Sequence, residues 1–199
     1  MNDEQFVWIL GDEPVERLPV IDSETYHPEK TAVYDFIDEI LMLEDFFDFV
    51  RRHDPDVIQG HNVDGFDNPY IIKRFKSLTG TYPNMGRFKD EQTSISTYKM
   101  TETVRITGRV ILDSCSILQK DLKESSHKLD DLALKYLNEK KIDCPYEDIR
   151  KHFETKEGRT FLATYCVKDS WLSHKLLKYF NKLAQYYHMA NMTSLGLDG

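Results

Sequence analysis

Asp56-Val57-Ile58-Gln59-Gly60-His61-Asn62-Val63-Asp64-Gly65-Phe66-Asp67-Asn68-Pro69-Tyr70-Ile71 is the stretch on which the reading of this chain turns. The apolar pair Val57-Ile58 reads as a short strand, and Gly60 lets it end tightly. An amide (Asn62), an aromatic ring (Phe66) and a carboxylate (Asp67) then fall within one short turn. Pro69 suits the first turn of a helix and Asn68 its cap, so a helix is expected through Phe75. A carboxylate flanked by a ring and an amide suits a metal ion that must hold a phosphate near a stacked base.

Outward from that turn the pattern alternates between strand and helix. Phe6 to Leu10 reads as a buried strand. Val15 to Ile21 reads as a second, at a sheet edge because Pro19 interrupts it. From Phe36 to Arg52, apolar residues recur every three or four positions between acidic ones, an amphipathic helix with its cations at the carboxyl end. Residues 79 to 103 read as a loop or ragged hairpin, and Gly108 to Asp113 as a strand. Helices are expected from Ser116, over Leu129–Leu137, over 145–154, and as one long helix from Arg159 to Met192. Early strands and later helices indicate an α/β or α+β domain.

The bulk composition agrees with one packed domain over 1–199. Of 199 residues, 40% are hydrophobic, enough for a sizeable core. A net charge of −8 excludes a basic groove spanning the whole surface, although a carboxylate-built metal site tolerates it. Cys115, Cys144 and Cys166 are odd in number and form no CxxC, which argues against a zinc ribbon or disulfide framework. Each is expected to be simply buried. No apolar run approaches membrane-spanning length, and the amino terminus lacks a signal-peptide pattern. An intracellular protein with no membrane partner is expected.

A second constellation stands in the long helix. Tyr165 and Asp169 are four residues apart and so project from one helix face. A phenol beside a carboxylate can orient a water and bind a cation.

Both constellations resemble motifs of the family B DNA polymerases. Asn62 to Asp67, preceded by Gly60-His61, resembles the second motif of their 3′→5′ proofreading exonuclease domain, and Tyr165 with Asp169 resembles the third. The flanking segments extend the resemblance from about Phe6 to the carboxyl terminus. It implies a ribonuclease H-like α/β fold with a mixed central sheet flanked by helices. It also implies two magnesium (or manganese) ions at the terminal phosphodiester. Asp169 would ligate the nucleophile-side metal, Asp67 would hold the other largely through waters, and Tyr165 would orient the attacking water. Asn62 and Phe66 would contact the unpaired 3′ end of a primer strand. Implied partners are DNA, the remainder of the polymerase and replication accessory factors, at a site of DNA replication in a nucleus or viral factory.

The family's first motif, Asp-x-Glu at a strand end, is matched before Asn62 only by Asp22-Ser23-Glu24. Asp22 and Glu24 would add metal ligands, but the helix fills much of the short interval that follows. Phe6–Leu10 and Val15–Ile21 resemble the hairpin that comes after the first motif. On that alignment the motif lies before Met1, and the palm lies beyond residues 183–199. The chain then reads as a fragment with an incomplete metal site and weak activity in isolation. Two alternatives stay open: a catalytically inactive DNA-binding or structural module, and a free-standing exonuclease that uses Asp22 and Glu24. Of the neighbouring groups, His61 is expected to be structural and Asp64 a solvated turn residue. Asp113 is read as a structural hydrogen-bonding group. Arg51, Arg52, Lys73, Arg74 and Lys89 are expected to be mostly solvated surface.

Overall fold

Strand β1 (Gln5–Leu10) lies between two layers of helix in the computed structural model, which describes residues 4–21, 23, 26–88, 93–98 and 101–193. The other elements, in order, are β2 (Thr31–Phe36), α1 (Glu39–His53), β3 (Val57–Gly60), α2 (Asn68–Thr79), β4 (Ser94–Tyr98), β5 (Thr101–Arg105) and β6 (Val110–Asp113). They continue with α3 (Ser114–Asp121), α4 (Leu129–Leu137), α5 (Tyr146–Phe153), α6 (Lys156–Tyr179) and α7 (Lys182–Thr193). Alternation along β1 sends Val7 and Ile9 to one face, where they pack on Ala163 and Val167 of α6. Phe6 and Trp8 face the other way and meet the Phe49 ring of α1 at 4.7 and 4.8 Å.

The described strands form three two-stranded ladders. β1–β2 and β3–β6 are parallel, and β4–β5 is antiparallel. The architecture is mixed α/β as expected, but the described strands do not join into one continuous sheet. The hairpin anticipated within 79–103 is β4–β5.

Three expectations need correction. Val15 to Ile21 is not a strand, and β1 pairs with β2 instead. Pro14 and Pro19 bracket this run and remove ladder donors. Val15 and Leu18 are buried three positions apart, a spacing that fits a coil laid on α6 rather than a period of two. The amide of Val15 donates to Asp35 Oδ1 at 2.8 Å. Phe36 therefore belongs to a strand, and α1 starts later, capped by Asp38 Oδ1 on the amides of Ile40 and Leu41. Likewise the long helix is two helices, broken at Asn181 with φ 52°. Asn tolerates the left-handed region, and apolar spacing continues across the break, so periodicity cannot reveal it.

The main core joins α1, α2 and the hairpin through Leu43, Phe47, Ile72, Phe75, Met85 and Val104. Arg109 ties its lower end together. Its buried guanidinium donates to the carbonyls of Met85 (2.7 Å) and Pro55 (2.6 Å) and to Asp54 Oδ1 (2.9 Å). A second cluster packs Leu118, Leu129, Leu132, Leu172 and Leu176 between α3, α4 and α6.

Helix α6 begins against α5 at a point that tolerates no side chain. Thr155 Oγ1 caps Gly158 N at 3.0 Å, and a Cβ on Gly158 would lie 2.0 Å from the His152 carbonyl oxygen. Gly158→Ala should force the two helices apart and destabilise the fold by about 1–3 kcal/mol in urea unfolding. A change below about 0.5 kcal/mol would show that this packing is not required.

Candidate active site

Strands β3 and β6 are in parallel register with Gly60 opposite Asp113, so both deliver their carboxyl ends to one edge. Asp113 caps α3 there: Oδ1 accepts from the amides of Cys115 (2.8 Å) and Ser116 (3.4 Å). The same carboxylate crosses to the neighbouring loop. Oδ1 accepts from Asn62 N (2.9 Å) and Oδ2 from Asp64 N (3.2 Å). One buried side chain thus satisfies backbone donors of two segments at once, which is the structural role the sequence assigned it.

His61 is fixed in the same way. Its Nε2 lies 3.0 Å from the His127 carbonyl oxygen and its Nδ1 2.9 Å from Ser114 Oγ. A carbonyl only accepts, so Nε2 carries the proton and Nδ1 accepts from the serine hydroxyl. Ser114 Oγ is in turn 3.2 Å from Ser173 Oγ on α6. Burial holds the His61 pKa below its usual value despite the pull of Asp113. The ring is therefore a neutral strut, in keeping with the structural role expected of it.

From this anchored start the chain makes an unusual turn. Asn62 sits in the left-handed region (φ 61°), and Val63–Asp67 winds as a π-helical turn that leads into α2. A Cβ on Gly65 would approach Asn62 Oδ1 to 2.6 Å, so any larger residue there would push the Asn62 amide aside. Asn68 is not the cap that the sequence proposed. The helix runs on from the π turn, so Asn68 lies inside it, buried. Asn62, Phe66 and Asp67 are left exposed on the outer side. Asp64 is not the solvated residue expected: its Oδ1 is buried without a hydrogen-bond partner, and burial together with Asp113 raises its pKa.

On α6, Tyr165 and Asp169 share a face, as their spacing predicts, and each shifts the pKa of the other. The sequence reading missed the third member of this group. Lys141 Nζ lies 3.2 Å from the Tyr165 hydroxyl and 3.5 Å from Asp169 Oδ2. Its backbone amide is held by Asp130 Oδ1 at 3.2 Å. Lys141 stands in coil beyond α4, where no periodic pattern marks a side chain's direction.

Burial raises the Asp169 pKa even against Lys141 and Tyr165, and Asp169 Oδ1 is buried with no hydrogen-bond partner among the described residues. Burial, then Asp113 and Asp169, raise that of Asp67. The thiol of Cys166, a residue that is exposed overall, is pushed up to about 11 by local desolvation and then by Asp169 and Asp67. These shifts put Asp67 within electrostatic reach of Asp169.

Asp22 and Glu24 lie outside the described residues. Their neighbour Tyr26 donates its amide to Ser23 Oγ (3.2 Å) and its hydroxyl to the Thr164 carbonyl (2.5 Å), next to Tyr165. Among the described residues, no three His, Cys, Asp or Glu side chains converge as a metal cage. The basic residues read as solvated surface are paired there with acidic neighbours: Arg51 with Asp48, Lys73 with Glu102, and Arg74 in a two-pronged pair with Glu39 (2.7 and 2.6 Å). Arg52 lies 3.7 Å from Asp45, and Lys89 falls outside the described residues. The three cysteines are free as expected, but none is fully buried.

Asp113→Ala should cost about 2–4 kcal/mol, from a lost cap and stranded amide donors. Hydrogen exchange should accelerate at Asn62 and Asp64 as well as at Cys115. Unchanged exchange at Asn62 and Asp64 would mean that the carboxylate does not hold the turn.

Comparison with known proteins agrees with this geometry. The chain is 34% identical over 176 residues to the DNA polymerase delta catalytic subunit of Schizosaccharomyces pombe, covering 83% of this chain and 16% of that protein. It is 31% identical over 175 residues to the polymerase of the same name from Caenorhabditis elegans (81% and 16%). It is 34% identical over 165 residues to the DNA polymerase catalytic subunit of Saimiriine herpesvirus 2 (76% and 16%). The chain thus spans about a sixth of the length of these curated relatives. Residues 6–132 match the DNA polymerase family B, exonuclease domain, a stretch that holds Asn62, Phe66 and Asp67 and ends before Tyr165 and Asp169. The chain belongs to the exonuclease domain of the family B DNA polymerases.

Proposed function

We propose that this segment, as a single domain, carries the 3′→5′ exonuclease site of a DNA polymerase and removes nucleotides from the unpaired 3′ end of a primer strand. The carrying observation is the Tyr165–Lys141–Asp169 group beside α6, with Asp67, from the turn after β3, in electrostatic reach of Asp169. The parallel β3–β6 pair under helical layers supports a ribonuclease H-like reading of the fold. The remainder of a polymerase and replication accessory factors are the partners this implies, inside the cell at the site of DNA replication.

The donor set fits a hard divalent cation. Asp67 and Asp169 offer carboxylate oxygens, and Asp169 Oδ1 is a buried acceptor with no partner among the described residues. They would hold magnesium, or manganese, in all-oxygen ligation that keeps waters, with Asp22 and Glu24 as candidates for further carboxylates. When bound, the ion supplies positive charge for the phosphodiester and acidifies a water. The chain's own groups do the rest. Burial raises the Tyr165 pKa, so the phenol stays protonated, and Lys141 and Asp169 fix its direction toward a water. The Lys141 ammonium offsets the local negative charge. Exposed Phe66 offers a face to a terminal base and Asn62 an amide beside it.

The raised Asp169 pKa gives a signed test. The folded state holds that proton more tightly than the unfolded chain does. The penalty is therefore full at neutral pH and fades as pH falls through the folded value toward 3.8. Asp169→Asn should melt higher than the wild type at pH 7, with the gap closing in acid. Magnesium should raise the wild-type melting temperature but not that of the variant. Any magnesium-dependent loss of nucleotides from a 3′-labelled single strand should vanish in Asp67→Ala and Asp169→Ala. Degradation that persists in the double variant would rule the site out.

A further inference from the structure

Two exposed rings, Phe66 of the π turn and Tyr70 of the first turn of α2, lie side by side next to this site. Phe66 and Tyr70 stack with planes 10° apart and centroids 6.2 Å apart. One helical turn separates them, so an i,i+4 contact that merely stabilises the helix is the plain alternative. Such a pair hides ring surface, whereas here Phe66 is 62% and Tyr70 59% exposed. Among the described residues, no other parallel pair has both rings more than half exposed. Asp67 stands between the two rings in sequence, directly after Phe66. Farther along the helix, Lys73 and Arg74 are already engaged by Glu102 and Glu39, so this stripe offers stacking rather than free positive charge.

We propose that Tyr70 is a second base-stacking residue, which receives the penultimate unpaired base when Phe66 receives the terminal one. The site then grips two unpaired nucleotides, and a single-stranded 3′ tail of at least two bases is its preferred ligand. This rests on the exonuclease reading, since that reading supplies the strand end at Asp67. Stacking on an aromatic face is tolerant of base identity and weakly dependent on salt, in contrast to phosphate contacts.

The test uses the full 199-residue chain without divalent ions and oligothymidylates carrying 2-aminopurine at the last or the next-to-last position. The wild type should quench both probes. Phe66→Ala should release the terminal probe and Tyr70→Ala the penultimate one, each with roughly five- to hundredfold weaker binding. Tyr70→Phe should behave as wild type, because the ring and not the hydroxyl does the stacking. The loss in Tyr70→Ala should be similar at low and high salt. Matching circular dichroism melts, with Tyr70→Leu as a second helix-compatible variant, separate lost stacking from lost folding. Penultimate quenching that survives both Tyr70→Ala and Tyr70→Leu overturns the proposal while leaving the exonuclease reading intact. A wild type that binds no single strand overturns both.

Discussion

Asp113 is the group on which the rest of the site depends. Its buried carboxylate accepts the amides of Asn62 and Asp64 from one loop and those of Cys115 and Ser116 from the next. A turn containing a left-handed asparagine and a π-helical turn has several conformations open to it. Two charge-assisted bonds to its backbone select one of them. His61 adds a neutral strut from the same turn to the Ser114 hydroxyl and the His127 carbonyl. With its backbone so held, the turn can leave Asn62, Phe66 and Asp67 facing outward, none of them needed for its own support.

The same arrangement concentrates negative charge. Asp64, Asp67 and Asp169 all have pKa values raised first by burial, and Asp113 or Asp169 adds to the shift of the first two. Carboxylates placed this way weaken the fold at neutral pH, and two of them are the groups we propose for a cation. Lys141 relieves part of the strain, lying 3.5 Å from Asp169 while also holding Tyr165. Asp169 still keeps one buried oxygen without a partner. Stability and ligand affinity are thus opposed at this point.

Much of this was legible in the residues, and the exceptions have physical causes. Val57-Ile58, the 129–137 helix and the Tyr165/Asp169 spacing could be read because apolar period and helical geometry act locally. The β1–β2 pairing could not, since parallel partners are chosen by distant packing, and the prolines at 14 and 19 turned an apparent edge strand into coil. Lys141 and Arg109 were missed for a related reason. Their partners are set by tertiary approach, and nothing in the neighbouring sequence announces a lysine aimed at a helix or an arginine folded under a hairpin. Asp64 looked solvated because turns usually are. It is buried because the π turn rolls it inward.

The central claim is that Asp67 and Asp169 face one cation position, held there by the Asp113-anchored turn. Paramagnetic broadening of backbone amides by substoichiometric manganese tests it most directly. The account predicts broadening centred on Phe66–Asn68 and Cys166–Ser170, lost in Asp169→Asn, with the exposed carboxylates Asp54 and Asp56 unaffected. Broadening centred at Asp54 and Asp56, or spread over the acidic surface of α1 with none at Asp67, would contradict it.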